Sequence, residues 1–192
     1  MDENARIAWD RRFIETPGKW RDPEPFLVLA YERFVAPAFP NGGGALDIAG
    51  GMGRHALYLA ERGWRVTLVD ISGIGVEQAR RTAEQRSLSL TAVQIDVTEM
   101  RLEKQAFDLI IVFNFLERSL LPHISDAVKP GGLLIYKTYT VEQLKLGTGG
   151  PSDPARLWQP GELRMAFPDF EVLHYRESIA EKAIAELVAR KS

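Results

Sequence analysis

The sequence predicts an α/β fold built around a doubly wound, mostly parallel sheet. Helical and strand patterns alternate along the 192 residues, which is typical of such sheets. Residues 107–113 form a nearly continuous apolar run, as a parallel strand buried on both faces requires. A glycine-rich turn at 49–53 separates a short apolar strand from a helix, and ligands bind at turns of this kind.

Composition is consistent with one soluble domain spanning 1–192. A net charge of −2, from 24 basic and 26 acidic residues, supplies no overall field for gathering nucleic acid, so nucleic acid is disfavoured as a partner. The absence of cysteine excludes disulfides and thiolate metal sites, and no metal site is predicted. The charged N-terminus and the lack of a long apolar run predict a cytoplasmic protein without membrane contact. The oligomeric state is left open.

The first elements follow from helix and turn signals. Pro25 begins a helix whose apolar residues share one face before Pro37 and Pro40 end it. These apolar residues are Phe26, Leu27, Ala30, Tyr31 and Phe34. Strand one is predicted at 45–49, a helix at about 54–61 that Gly63 stops, and strand two at 65–70.

The later elements continue the alternation. Ser72 is predicted to cap a helix at about 74–86, followed by strand three at 90–95. Strand four at 107–113 leads to a helical segment at about 116–128 that Pro122 interrupts. The sequence Lys-Pro-Gly-Gly at 129–132 predicts a turn into strand five at 133–140.

The glycine turn and the acid after strand two indicate a nucleoside-containing cofactor. Gly51, Gly53 and Ala56 satisfy the dinucleotide pattern G-x-G-x-x-G/A, and Asp70 lies near the spacing of roughly 20 residues at which an acid binds ribose hydroxyls. Asp47 separates the two candidate cofactors. An acid before the glycines repels a pyrophosphate and attracts the cationic sulfonium and ammonium of S-adenosylmethionine.

This segment resembles the first motif of the class I S-adenosylmethionine-dependent methyltransferases, acid-x-Gly-x-Gly-x-Gly. Here the motif reads DIAGGMG, with Ala49 in place of the first glycine, which costs room for one methyl group. The resemblance implies S-adenosylmethionine as the cofactor. It implies cofactor-binding roles for Asp47, Ala49, Gly50, Gly51 and Gly53.

Polar residues at the other strand tips extend this site. The resemblance implies that Asp96 binds the adenine amino group, with Val97 beside it, and that Ile71 covers one adenine face after the ribose acid Asp70. Asn114 and Phe115 are expected near the sulfonium and the methyl group. The two prolines that follow this position in methyltransferases of DNA bases and glutamine amides are missing, which disfavours those substrates.

A closer similarity links most of the chain to the tellurite-resistance-type branch of this family. It rests on the segments at 20–27, 114–122, 129–140 and 158–163. The resemblance implies a seven-stranded sheet that ends with strand six at 170–176 and an antiparallel strand seven. Helix propensity at 178–191 favours a helix, but the fold favours a strand there, buried mainly on one face.

The function predicted is methyl transfer to a small-molecule acceptor by in-line displacement in a pocket that excludes water. Asn114, Glu117 and Tyr139 are the candidate catalytic residues, and His123 is a further candidate base for a hydroxyl or amine acceptor. RNA or protein methylation, a non-catalytic cofactor-binding subunit and, more distantly, an NAD-dependent oxidoreductase are the alternatives.

The predicted domain has four segments with different expected roles. Residues 1–40 form a lid and helix, 45–140 the cofactor core, 141–160 a flexible substrate-side insert, and 161–192 the closing helix and strands. The acceptor is sought among residues 9–20, 114–118 and the insert. Arg11, Arg12 and Arg156 are candidate ligands of an anionic acceptor.

Overall fold

The computed structural model describes residues 2–16 and 22–192. A seven-stranded sheet in the order β3-β2-β1-β4-β5-β7-β6 organises the chain. The strands are β1 Gly44–Ile48, β2 Arg65–Asp70, β3 Leu90–Gln94, β4 Phe107–Phe113, β5 Val128–Tyr139, β6 Phe170–Ile179 and β7 Ala183–Lys191. This is the predicted doubly wound α/β sheet with an antiparallel last strand.

Helices cover both faces of the sheet. They are α1 Glu3–Glu15, α2 Pro25–Ala30, α3 Ala36–Ala38, α4 Arg54–Ala60, α5 Gly73–Gln85, α6 Leu121–Ala127, α7 Gln143–Leu146 and α8 Glu162–Met165. A π-helical turn, Tyr31–Val35, joins α2 to α3. Single 3-10 turns lie at Val97–Glu99, Arg118–Leu120 and Pro154–Arg156. Within the described ranges no helix is long and apolar enough to cross a membrane.

The order in which successive strands are added to the sheet reverses between β1 and β4. Strand β1 pairs in parallel with β2 on one side and with β4 on the other, so the loops after β1 and β4 diverge at this point. Crevices of this kind, outside the carboxyl ends of the strands, are where open α/β sheets bind ligands. Asp47, Asp70, Asp96 and Asn114 all lie at this edge.

Strand β7 settles the competition between helix and strand at 178–191. It pairs antiparallel with both β5 and β6, and Ala185, Leu187, Val188 and Ala189 are all buried. Burial on both faces corrects the expectation of one buried face, because Val188 packs in one apolar layer and Ala185, Leu187 and Ala189 pack in the other. Helix propensity lost to the ladder hydrogen bonds and side-chain burial that this position supplies.

Two predicted interruptions take a different form. The Lys-Pro-Gly-Gly sequence at 129–132 does not precede β5 but forms a bulge within it, because the pairing jumps from Phe107 with Val128 to Leu109 with Leu133. Pro122 does not interrupt a helix but occupies the first turn of α6, where its missing N–H costs nothing. The insert at 141–160 contains α7 and a 3-10 turn.

Two apolar layers hold the sheet. Alternate residues of β1 and β4 face opposite sides: Leu109 and Ile111 pack with α2, α4 and α5, while Ile110 and Val112 pack with α6 and α8. Both faces of the central strands are therefore buried, as the apolar run at 107–113 predicts. The ends of these rigid strands position the site.

Candidate functional site

The glycine turn after β1 passes too close to other groups to carry side chains. A Cβ at Gly50 would lie 2.7 Å from Oδ2 of Asp47 and 2.8 Å from Cδ1 of Leu68. Gly51 and Gly53 have φ of +57° and +82°, a conformation that glycine adopts without steric cost. Gly53 is the N-cap of α4, and as a glycine it offers no side chain to cap the first amide groups of this helix.

Ala49 adopts the left-handed conformation as well, with φ of +55°. From the sequence, the expected cost of alanine at this position is lost room for one methyl group. The structure locates the cost in the backbone instead, because a residue with a Cβ is strained by roughly 1–2 kcal/mol in this conformation. The turn therefore keeps its shape at the position where the family motif has glycine.

Asp47 is a buried acid without a partner. Its side chain is 1% exposed, and neither carboxylate oxygen has a hydrogen-bond partner among the described residues. Burial, together with the nearby Asp70, raises the pKa of Asp47 to about 8. An acid held neutral beneath the glycine turn is stabilised as an anion by any cation that enters the crevice.

Asp70 holds the glycine turn from the end of β2. Its Oδ2 accepts the Gly51 N–H at 2.7 Å and its Oδ1 accepts the Ser72 N–H at 2.8 Å. Burial raises the pKa of Asp70 above its usual value. Each carboxylate oxygen has a second lone pair, so the same group can accept two ribose hydroxyls while it holds the turn.

Asp96 lies at the tip of β3 and is contacted by the N-terminus of α1. Its Oδ2 accepts the Asp2 N–H at 2.8 Å, and its Oδ1 accepts the N–H and hydroxyl of Thr98. These hydrogen bonds hold the pKa of Asp96 below its usual value. Val97 is buried beside it, and Ile71 is half-buried at the neighbouring tip. The predicted adenine residues therefore lie at adjacent strand ends.

Helix α1 lies across this edge of the sheet. Asp10 accepts hydrogen bonds from the Ser72 hydroxyl at 2.5 Å and the Ile74 N–H at 3.2 Å. A Cβ at Gly51 would lie 2.9 Å from Cζ of Phe13, so the Phe13 ring covers the glycine turn. Trp20, expected in the same lid, lies outside the described residues.

A cavity of about 270 Å³ lies beside the glycine turn, at the ends of β4, β5 and β7. Its lining residues are Glu24, Pro25, Arg54, Asn114, Lys137, Lys182 and Ile184. Asn114 has φ of +55°, a conformation that asparagine tolerates, and its Nδ2 donates to Glu24 Oε1 at 2.8 Å. Of the predicted catalytic residues, Asn114 lines this cavity.

A cluster of charged side chains that the sequence does not predict surrounds Asn114. Glu24 binds Arg54 at 2.6 Å and Lys137 at 2.8 Å, and Lys137 also lies 3.3 Å from Glu186. These cations, with Lys137 the dominant one, overcome burial and lower the pKa of Glu24 to about 2. The four charges come from four separate parts of the fold, namely the N-cap of α2, helix α4, strand β5 and strand β7, so no local sequence pattern signals the cluster.

Glu117 and Tyr139 are not brought to the cavity. The Glu117 carboxylate accepts the N–H and hydroxyl of Ser119 and so caps the 3-10 turn that follows β4. Tyr139 packs on the insert, where a Cβ at Gly150 would lie 3.1 Å from its ring. Phe115 accepts the Tyr136 hydroxyl at its carbonyl, 3.0 Å away.

The remaining candidate side chains lie on the surface. His123 is exposed on α6. Arg11 and Arg156 pair with acids on their own segments, Glu15 and Asp153. The Arg12 guanidinium lies 5.0 Å from the Trp9 ring centroid on α1.

These residues fit S-adenosylmethionine and not a dinucleotide. The glycine cradle allows the backbone to approach a ligand closely, and the unpartnered Asp47 carboxylate lies directly beneath it. A pyrophosphate at this turn would face the buried Asp47 carboxyl, whereas a sulfonium and an ammonium would stabilise its anion. The site thus selects a cationic nucleoside ligand.

Comparisons with known proteins agree with this geometry. Residues 45–132 match a family model described as a methyltransferase domain. The Escherichia coli K12 tRNA 5-carboxymethoxyuridine methyltransferase is 32% identical over 139 residues, which cover 67% of this chain and 52% of that protein. A probable S-adenosyl-L-methionine-dependent methyltransferase, TehB of Haemophilus influenzae Rd, is 27% identical over 144 residues, which cover 71% of this chain and 49% of that protein. The chain therefore spans about half the length of these two relatives.

Solved structures share the fold. The crystal structure of TehB from Haemophilus influenzae superposes with a TM-score of 0.74 at 19% identity and covers 96% of this chain and 67% of that one. Magnesium protoporphyrin IX methyltransferase from Synechocystis PCC 6803, crystallised with bound S-adenosylhomocysteine, gives a TM-score of 0.79 at 16% identity and covers both chains fully. Residues 45–132 therefore match the methyltransferase domain family, and the chain has the fold of S-adenosylmethionine-dependent methyltransferases, with TehB-like proteins among its relatives.

Proposed function

We propose that this protein transfers the methyl group of S-adenosylmethionine to a small-molecule acceptor. The observation that carries the proposal is the pair of buried acids around the glycine turn, Asp47 beneath it and Asp70 bonded to Gly51. Two buried carboxylates at one turn are unfavourable alone and favourable beside a cation. The cofactor supplies this cation together with the ribose hydroxyls that Asp70 accepts.

In this proposal residues at successive strand tips contact successive parts of the cofactor, from the adenine to the methyl group. Asp96 accepts the adenine amino group, with Val97 and Ile71 against the base. Asp70 accepts the ribose hydroxyls. Asn114 and Phe115 lie at the methyl end, next to the cavity that Asn114 lines.

A small acceptor is supported by the size and cover of the site. The cavity of about 270 Å³ is slightly below the usual range for drug-sized ligands. Helix α1 crosses the adjoining edge of the sheet through Asp2, Asp10 and Phe13. A pocket of this volume, beside a crevice that α1 crosses, suits a molecule of one or two rings better than a polymer.

The residues mainly position the reactants and exclude water. The cofactor supplies an activated methyl group, so the protein must hold the acceptor atom in line with the sulfur and keep water out. Asn114 is fixed by Glu24 at 2.8 Å, so its amide can orient a polar acceptor atom. For a hydroxyl or amine acceptor, Glu117 and Tyr139 remain the candidate bases, each requiring a side-chain movement to reach the cavity.

We propose α1 as the lid of this site. Asp10 joins it to the start of α5 through Ser72 and Ile74. Asp10→Ala is expected to accelerate amide hydrogen exchange in residues 3–15 by at least about tenfold, or about 1.4 kcal/mol. Glu15→Ala, which removes an exposed pair with Arg11, is the control and should leave exchange unchanged. Equal rates of amide hydrogen exchange in both variants would show that the Asp10 contacts with Ser72 and Ile74 do not hold α1 in place.

RNA is the second candidate acceptor, because one relative is a tRNA methyltransferase that aligns with 67% of this chain. An RNA acceptor would have to reach the cavity that Asn114 lines. Methyl transfer to total RNA and to small molecules, measured in parallel with radiolabelled cofactor, separates the two proposals.

The test of the proposed function begins with the purified protein. Mass spectrometry of released ligand should detect S-adenosylmethionine or S-adenosylhomocysteine. A screen with S-adenosyl-[methyl-³H]methionine over thiols, metalloid oxyanions, phenols and amines should then label one class. Cofactor binding without transfer to any acceptor would favour a non-catalytic partner subunit, and no cofactor binding would refute the proposal.

A further inference from the structure

We infer that the β5–β7 side of the cavity recognises an anionic group on the acceptor, through Lys182. This inference rests on the proposed function, since it assigns the acceptor to the part of the cavity beyond Asn114. Lys182 lies in the turn between β6 and β7, and Ile184 and Lys137 line the cavity beside it.

The turn that carries Lys182 is held on both sides. The Thr148 hydroxyl donates to the Glu181 carbonyl at 2.6 Å, and the Ala183 N–H donates to Oε1 of Gln143 at 2.8 Å. Gln143 is 2% exposed. Thr140 N–H donates to the Ala183 carbonyl at 3.0 Å. Because each residue flanking Lys182 is bonded to the 140–148 segment, the backbone presents the lysine at a fixed place on the cavity rim.

The charges around the cavity leave this lysine unmatched. Lys137 and Arg54 are neutralised by two carboxylates, Glu24 and Glu186. Across residues 2–16 and 22–192, no carboxylate lies within ion-pair distance of Lys182. Among the described residues at this cavity, three cations stand against the two acids Glu24 and Glu186, which leaves one excess positive charge.

An acceptor with a carboxylate or similar anion balances that charge. Ile184 adds an apolar side chain to the lining that Lys137 and Lys182 share, which suits an acceptor that joins an anionic group to a hydrocarbon body. A neutral amide of the same shape gains no such attraction.

Matched probes test this inference. The protein is first saturated with S-adenosylhomocysteine, whose own calorimetric titration tests the proposed function separately. It is then titrated with 4-hydroxybenzoate and with 4-hydroxybenzamide, which differ in charge and hardly in shape. Wild-type protein is expected to bind the benzoate at least fivefold more tightly than the amide.

Variants assign the preference to one lysine. Lys182→Gln should make the two probes bind equally, and Lys182→Glu should favour the amide. Lys145→Gln, in the neighbouring α7 where Lys145 pairs with Glu142, should keep the wild-type preference. Equal binding of both probes to wild-type protein, binding of neither, or an unchanged preference in Lys182→Gln would overturn the inference, even where S-adenosylhomocysteine binds normally.

Discussion

Asp2 and Asp96 are joined by a 2.8 Å hydrogen bond from the backbone N–H of Asp2 to Oδ2 of Asp96. The N-cap of α1, the helix that we propose as a lid, thus contacts the carboxylate that we propose for the adenine amino group. If the proposal is right, that amino group takes the place of the Asp2 N–H when the cofactor binds. Lid and cofactor then share one acceptor.

Asp96→Ala should weaken S-adenosylhomocysteine binding by about tenfold, or about 1.4 kcal/mol. Calorimetry with S-inosylhomocysteine, which lacks the amino group, makes the test specific: wild-type protein should bind it more weakly, and Asp96→Ala should bind both ligands alike. Asp153→Ala is the control, because Asp153 also caps a 3-10 turn, at Ala155. Unchanged discrimination in Asp96→Ala would remove this residue from the adenine site.

Asp47→Asn tests the buried acid through the pH dependence of stability. The pKa of Asp47 is about 8 in the folded protein against an ordinary 3.8, so the fold prefers the protonated form. Stability from this group is present below pH 4 and is lost as pH rises toward 8. Urea unfolding at each pH gives the free energy of unfolding of both proteins. From pH 5 to pH 7.5, the free energy of unfolding of the variant relative to wild-type protein should rise by on the order of 3 kcal/mol. A difference that does not change with pH would contradict the raised pKa.

Glu24→Gln tests the ion cluster, with the opposite pH dependence. The pKa of Glu24 is lowered from 4.5 to about 2, so its contribution is present above pH 4.5 and is lost as pH falls toward 2. The variant should be less stable by about 3 kcal/mol at pH 7 and by much less at pH 3. Glu142→Gln breaks a surface pair and should cost less than about 0.5 kcal/mol at both pH values. If Glu24→Gln lowers the free energy of unfolding equally at pH 7 and pH 3, the lowered pKa of Glu24 is contradicted.

Ala49→Gly tests the strained position in the glycine turn. Relief of the left-handed conformation should outweigh the entropy that glycine adds to the unfolded chain, for a net gain of about 0.5 kcal/mol. Ala60→Gly, at the end of helix α4, should instead lose about 1 kcal/mol. Chemical denaturation distinguishes the two, and a similar loss in both would mean that Ala49 is not strained.

The sequence predicts the cofactor half of this molecule well because its signals are local. A strand, a glycine turn, a helix and a second strand follow one another between Gly44 and Asp70, and turn and capping residues define each boundary. Strand β7 required the family resemblance, since the same residues favour a helix when taken alone.

The acceptor half depends on contacts between distant segments. Glu24 and Asn114, which bond to each other, are 90 positions apart, and neither has a spacing that links it to Lys137 or Lys182. The sequence makes Glu117 a candidate base, but it does not show that the Glu117 carboxylate accepts the Ser119 N–H and caps the turn beside it. Pairing and burial, which decide these roles, are properties of the folded chain.

Calorimetric titration with S-adenosylhomocysteine tests the central claim most directly. Wild-type protein should bind it, and Asp70→Ala should bind at least about tenfold more weakly, a loss of about 1.4 kcal/mol. Asp108→Ala is the matched control, since Asp108 likewise accepts a glycine N–H, from Gly44 at 2.8 Å, but at the opposite edge of the sheet. Circular dichroism should show all three proteins folded. No heat of binding to wild-type protein, or equal affinity in Asp70→Ala, would contradict the assignment of this crevice to S-adenosylmethionine.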